Sequence, residues 1–364
     1  MSQTTQDAEE RRRVKSGKHN AEDQLRRVMR ARKVMAECNR VLVRASDEDE
    51  LLREMCRIVV DSGGYRMAWI GMAEHDENST IRPVASAGDD SGYLAAARIS
   101  WGKGESGRGP AGAAVRDRKP HAVQHIDTNP YFSTRFKEII VRGYRAAAAL
   151  PLLAGDEVIG VVCILAGEAE AFDADELALL DELAHDIAYG LTNLRLREKQ
   201  RRAEQVLTLE HRVTRCLADA ESVPATLRTV IQLICEAQDW ECGRYLRLDE
   251  EAGVARYAES WHVPDAAFEQ LIERSRNMVF EPGLGLVGKV FQSGQPLWST
   301  DLRNDPRSLR RAHTSDMGVR AAFDFPVTAE GRTIGVLAFS TRKTRNPDER
   351  FLQAVLVIGS QIGQ

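Results

Sequence analysis

Gly143-Tyr144-Arg145-Ala146-Ala147-Ala148-Ala149-Leu150-Pro151-Leu152-Leu153-Ala154-Gly155-Asp156-Glu157-Val158-Ile159-Gly160-Val161 reads as two apolar runs joined by a turn, and the chain contains it twice. Adding 175 to its landmarks lands on Gly318, Arg320, Pro326 and Ile334-Gly335-Val336. The same sum carries the apolar set Leu52, Met55, Cys56 and Val59 onto Leu227, Val230, Ile231 and Ile234. With one residue more, Gly107, Gly109, Gly112, Pro120 and Pro130 fall on Gly283, Gly285, Gly288, Pro296 and Pro306. So many agreements at nearly one offset mark a duplicated domain.

Each copy shows the same order of elements. An amphipathic helix (48–60; 225–237) leads into an apolar strand (66–72; 243–248), and a second strand follows (82–87; 255–261). After a long polar middle come paired strands over 147–153 and 158–165, and over 323–327 and 333–340, with Ala154-Gly155 and Glu330-Gly331 at the turns. Closing helices begin after Phe172-Asp173 and Asn346-Pro347. The expected class is α+β, an antiparallel sheet with flanking helices in each copy.

The 364 residues carry 50 basic and 54 acidic side chains, a formal charge of −4. No bulk field draws such a chain to nucleic acid or acidic lipid. The basic cluster Arg11 to Arg13 is diluted by Asp7, Glu9, Glu10, Glu22 and Asp23 and reads as a solvated leader. No apolar core of a secretory signal opens the chain, and the most apolar stretch, 146–166, is broken by Pro151, Asp156 and Glu157. A cytoplasmic protein without membrane insertion is expected. Cys38, Cys56, Cys163, Cys216, Cys235 and Cys242 lie in apolar patterns with no CxxC, as reduced core thiols do.

Leu177, Leu180, Ala184, Ile187, Leu191 and Leu194 alternate in steps of three and four, and the seam returns in a shifted phase at Val206, Leu209, Val213 and Cys216. A further seam, Leu25, Val28, Arg32, Met35, Asn39 and Leu42, precedes copy one. These predict a long helix joining the copies and a homodimer paired through it.

Gly107 to Gly112 and Gly283 to Gly288 both match GxGxxG, but neither follows a buried parallel strand. Asp127 stands about 20 residues after the first motif and Arg303 after the second, so the glycines are expected at a turn into a helix. His185-Asp186 lacks the ATP-binding domain that a sensor kinase needs. His121 and His125 have no ligand partners at metal spacing. No Walker loop, G-x-S-x-G or H-E-x-x-H occurs, so hydrolase and phosphotransfer chemistry have no visible apparatus and no catalytic residue or metal is assigned.

Gly64-Tyr65-Arg66-Met67-Ala68-Trp69-Ile70-Gly71, Gly107 to Gly112, Ile126-Asp127-Thr128-Asn129-Pro130, Ala149-Leu150-Pro151-Leu152 and Val158-Ile159-Gly160-Val161, with their repeats in copy two, resemble tandem GAF domains of bacterial signal-transduction proteins. The resemblance covers roughly 38–196 and 213–364. It implies two PAS-like domains joined by a signalling helix: a leader over 1–24, a first domain over 25–196, a helical linker over 197–212 and a second domain over 213–364. It further implies a sensory module with no catalysis of its own, which binds an unidentified small ligand or dimerises. Such modules usually precede a diguanylate cyclase or phosphodiesterase (GGDEF/EAL) or a histidine kinase, so the chain reads as the sensory front of such an enzyme or as a ligand-free scaffold. The marks of the cyclic-nucleotide, bilin and methionine sulfoxide reductase branches are incomplete, and the cofactor stays unknown.

Pocket candidates follow from chemistry. Copy one offers Tyr93, Trp101, Arg108, His125, Tyr131, Phe132 and Arg145, and copy two Trp261, Phe280, Trp298, Asp301, Arg320, Phe323 and Asp324. Aromatics with a few polar groups suit a planar or anionic small molecule. Asp324 stands out, because an acid between Phe323 and Phe325 on a buried strand needs a partner or a ligand.

Overall fold

A computed structural model of the chain describes residues 25, 27–89, 92, 94, 98–130, 132, 140, 142–308 and 318–364. The chain forms two compact units, Met1–Glu198 and Lys199–Gln364.

The first unit begins with helix α1 (27–44), followed by α2 (Glu48–Asp61), whose first turn is capped by the Asp47 carboxylate accepting from the Glu50 amide at 2.8 Å. Strands β1 (Met67–Ala73), β2 (Ile81–Gly88), β3 (His121–Val123), β4 (Ala146–Ala154) and β5 (Glu157–Ala166) pair antiparallel in the order β2-β1-β5-β4-β3. Alternation along the strands sorts the two faces. Ala68, Ile70, Ala148, Leu150, Val162 and Ile164 pack with α1, α2 and the start of the long helix that begins at Ala174. Met67, Trp69, Ala147, Ala149, Cys163 and Leu165 form the other core, beneath α3 (Pro110–Asp117).

Helix α4 (Ala174–Ala218) is 45 residues long. Leu180, Ala184, Ile187 and Leu191 are buried in the first unit's core, and Val206, Leu209 and Val213 in the second's. The two phases of the heptad-like seam are thus inward stripes of one helix, each serving its own unit. On α1 the inward stripe is Ala31, Val34 and Cys38, one residue out of phase with the expected seam. That phase keeps Arg32 and Asn39 exposed, where neither needs a buried partner. The start of α4 is tied to α1 by Glu176, which is fully buried. Its Oε1 accepts from Arg30 Nε at 3.1 Å and Nη2 at 2.5 Å and from the Tyr65 hydroxyl at 2.6 Å, and the Arg30 guanidinium lies 4.5 Å above the Tyr65 ring.

The second unit repeats the plan and adds to it. Helix α5 (Val223–Gln238) and α8 (Glu349–Gly363) cover one face of a six-stranded antiparallel sheet ordered β8-β7-β6-β11-β10-β9. Its strands are β6 (Cys242–Asp249), β7 (Val254–His262), β8 (Val279–Phe280), β9 (Leu297–Ser299), β10 (Ala321–Ala329) and β11 (Arg332–Thr341). The two-residue β10–β11 turn holds Glu330 and Gly331 at φ of 48° and 77°, as a tight hairpin requires. The other face carries α6 (Ala266–Arg276) and α7 (Gly285–Ser293). Its apolar residues fall into two separate clusters, one around Phe268, Leu271, Leu302 and Ala322, the other around Phe280, Val287, Val336 and Ala338. No helix among the described residues is long and apolar enough to cross a membrane.

Candidate functional site

Directly opposed residues of an antiparallel ladder point to the same face. In the second unit the ladder aligns Leu297, Asp324, Ala338, Arg244 and Ser260 in one row, and Ser299, Ala322, Ser340, Cys242 and His262 in the next. Asp324, Arg244, Ala322 and Ser340 of these rows floor a cavity of about 270 Å³ lined by members of both apolar clusters. Leu271, Arg274 and Ser275 of α6 wall one side, Met278 to Glu281 another, and Leu284 to Val287 bring the first turn of α7 to its edge. At Gly288 a side chain would run into the Glu281 carbonyl oxygen, so this glycine lets α7 pack tightly beside the cavity.

Asp324 is 3% exposed, and its carboxyl lies on the cavity lining. Burial pushes it up from 3.8 to about 7, with the Arg244 guanidinium pulling the other way. Arg244 Nη1 donates to Ser275 Oγ at 2.7 Å, and that hydroxyl donates to the Leu271 carbonyl at 2.7 Å. Arg244 Nε is buried with no partner among the described residues. The floor therefore presents the Arg244 guanidinium and the Asp324 carboxyl to whatever occupies the space.

The same row in the first unit reads His121, Ala149, Cys163, Trp69 and Ser86. Trp69 stands where Arg244 stands, Ala149 where Asp324 stands and Cys163 where Ala338 stands. Trp69 is 2% exposed, and its indole joins Ile99, Ala111, Phe132 and Leu165 in a single core. The residual space is about 30 Å³, enough for a water molecule or two.

Of the residues proposed from sequence, Phe280 and Asp324 line the second cavity and Phe132 the first. Phe323, Trp298 and Trp261 point to the opposite face, where Phe323 and Trp298 (ring centroids 4.7 Å apart) pack with Trp240 and Phe351 in the helix-covered core. Asp301 and Arg320 hold each other in a two-pronged ion pair at 2.9 and 3.2 Å, off the cavity lining. In the first unit, Trp101 Nε1 donates to the Glu74 carbonyl at 3.0 Å, Arg108 is exposed, and His125 faces Glu170 at 3.5 Å. Arg145 Nη1 donates to the carbonyls of Ile140 and Tyr144. Tyr93 and Tyr131 lie outside the described residues. The sequence reading missed Arg244, Ser275 and the wall built by α6. The offset itself carried a signal, since it sets Trp69 against Arg244 and Ala149 against Asp324.

A family model described as GAF domain matches residues 45–192 and again 220–364. No curated protein matches the chain. Among solved structures, the chain is similar to bacteriophytochrome RpBphP3 from R. palustris, with 10% identity, 90% of this chain and 74% of that one covered, and a TM-score of 0.50. It is also similar to the nlh2 GAF domain of A. Aeolicus in an inactive state (19% identity, 44% and 95% covered, TM-score 0.37). A third is the free methionine-R-sulfoxide reductase of neisseria meningitidis in complex with its substrate (16% identity, 43% and 86% covered, TM-score 0.36). At these identities the likeness is one of fold.

Proposed function

Because both halves of this chain belong to the GAF domain family, a family of sensory and regulatory modules, we propose that the second unit is the ligand-binding one and the first a closed structural copy. The observation that carries this is the contrast between the two rows: Asp324 and Arg244 line an open cavity, whereas Ala149 and Trp69 hold the same places in the first unit, where Trp69 fills the space. In this reading the chain regulates rather than catalyses. The state of the second unit is relayed along α4, and the output is a cyclic-di-GMP enzyme, a histidine kinase or another partner. Pairing with a second copy would use the outward side of α4, where Tyr189, Leu196 and Leu207 are 72%, 60% and 55% exposed.

Native mass spectrometry of the protein purified from its own host tests the ligand assignment. The expected result is a mass above that of the chain, lost when the second floor is rebuilt as the first by Arg244→Trp with Asp324→Ala. A native mass equal to the chain mass, with unfolding of the second unit unmoved by host metabolite extract, refutes it.

A further inference from the structure

The chemistry of the floor selects a kind of ligand. Asp324 and Arg244 rise from the same face with only Ala338 between them, their Cα atoms about 10 Å apart, two strand spacings. The walls above are apolar, formed by Leu271, Met278, Phe280, Leu286 and Leu302. Of the ionisable groups lining the cavity besides Asp324, Arg244 comes from β6, Arg274 from α6 and Glu281 from the segment leading into α7. The lining residues from β10 and β11 add no other charge, and α7 adds the positive end of its dipole. Arg274 and Glu281 are exposed at the rim and offset each other, which leaves Arg244 as the charge at depth.

Three head groups compete for such a floor. An ammonium would have to sit beside Arg244 and the α7 N-terminus, and would gain a counter-charge only after Asp324 ionised. A neutral amide accepts from the Arg244 guanidinium without the gain of opposite charge. A carboxylate accepts from the Arg244 guanidinium through one oxygen and from a protonated Asp324 through the other, and both bonds are charge-assisted. An apolar cavity of about 150 Å³ takes a benzene ring, so about 270 Å³ takes a body of about ten heavy atoms.

Resting on the assignment of the second unit as the ligand-binding one, the geometry points to a monocarboxylate with a compact apolar body, its carboxylate seated between Arg244 and Asp324. Binding uses the Asp324 proton, so affinity is steady at mildly acidic pH and falls about tenfold per pH unit once the pH exceeds the value near 7 at which free Asp324 loses it. A ligand that needed ionised Asp324 would show the reverse slope.

Isothermal titration of the full chain with phenylacetate, phenylacetamide and phenethylammonium at pH 6 to 9 separates these cases. Phenylacetate is expected to bind at least tenfold more tightly than either analogue at pH 6, and about tenfold more weakly at pH 9 than at pH 8. Arg244→Gln should weaken it tenfold or more, whereas Arg274→Gln at the rim should change it less than threefold. Asp324→Asn should keep binding and flatten the pH profile, and it carries the test should Arg244→Gln unfold. Equal or tighter binding of the amide or the ammonium, or an unchanged pH slope in Asp324→Asn, overturns the carboxylate assignment and leaves the second unit as a ligand site. No binding by any of the three, together with a native mass equal to that of the chain, sinks both.

Discussion

Replacing Asp324 by asparagine keeps the side chain's shape and removes its titration. In the folded second unit burial holds the carboxyl at about 7 instead of 3.8, against the pull of Arg244. Between those values the folded chain keeps a proton that the unfolded chain has released. Stability therefore falls as pH rises through the window and levels off above it. At ~1.4 kcal/mol per pH unit, the ligand-free protein loses about 2 kcal/mol by pH 5 and about 4 kcal/mol by pH 8, relative to acid pH where both states are protonated. Asparagine carries no such loss. Urea denaturation of the ligand-free wild type and Asp324→Asn, following the second unit's transition from pH 5 to 8, should show the variant's advantage growing by about 2–3 kcal/mol. An advantage that stays constant over that range would mean that the carboxyl is already ionised in the fold, and the reasoning from its burial would fail.

Trp69→Ala should destabilise the first unit by about 3–5 kcal/mol, read by thermal denaturation, because the indole fills the space over that floor. Glu176→Ala leaves the half-buried Arg30 and the Tyr65 hydroxyl without their acceptor and should cost about 3 kcal/mol in the same assay, while Arg66→Ala at the surface should cost little. Gly288→Ala sets a methyl group against the Glu281 carbonyl and should cost about 1–3 kcal/mol in chemical denaturation of the second unit. Leu196→Lys with Leu207→Lys should turn a sedimenting dimer into a monomer with the unfolding midpoint preserved; a dimer that survives both charges would rule out pairing through that side of α4.

The duplication, the strand hairpins and the glycine turns were legible in sequence because each has a local cause: a repeated offset, alternation, or a position where only glycine fits. Which aromatic faced which way was not. Phe323 shares β10 with Ala322 and Asp324 of the cavity floor, and only the pairing register shows that it, with Trp298 and Trp261 opposed across the ladder, alternates away from that face. Asp324 was found because a carboxyl between two phenylalanines is costly wherever it points. Arg244 escaped because an arginine in a strand of mixed residues is ordinary until its neighbours across Ala338 are known. The heptad seam on α4 was legible, but spacing alone does not say whether a stripe meets its own domain or a partner chain. Burial of Leu191 and Val213 answers for those residues.

The open floor also bears on how long the protein lasts. A space of about 270 Å³ kept free over a buried acid forgoes the packing that Trp69 supplies in the first copy. Whatever fills it stabilises the folded chain by mass action, ~2.7 kcal/mol at a hundredfold excess over Kd. Under the proposed ligand assignment, empty chains would open more often and meet proteases first, and the number of copies in the cell would rise and fall with the supply of the compound. Supply would then be recorded twice, once in the occupancy of each molecule and once in how many molecules survive.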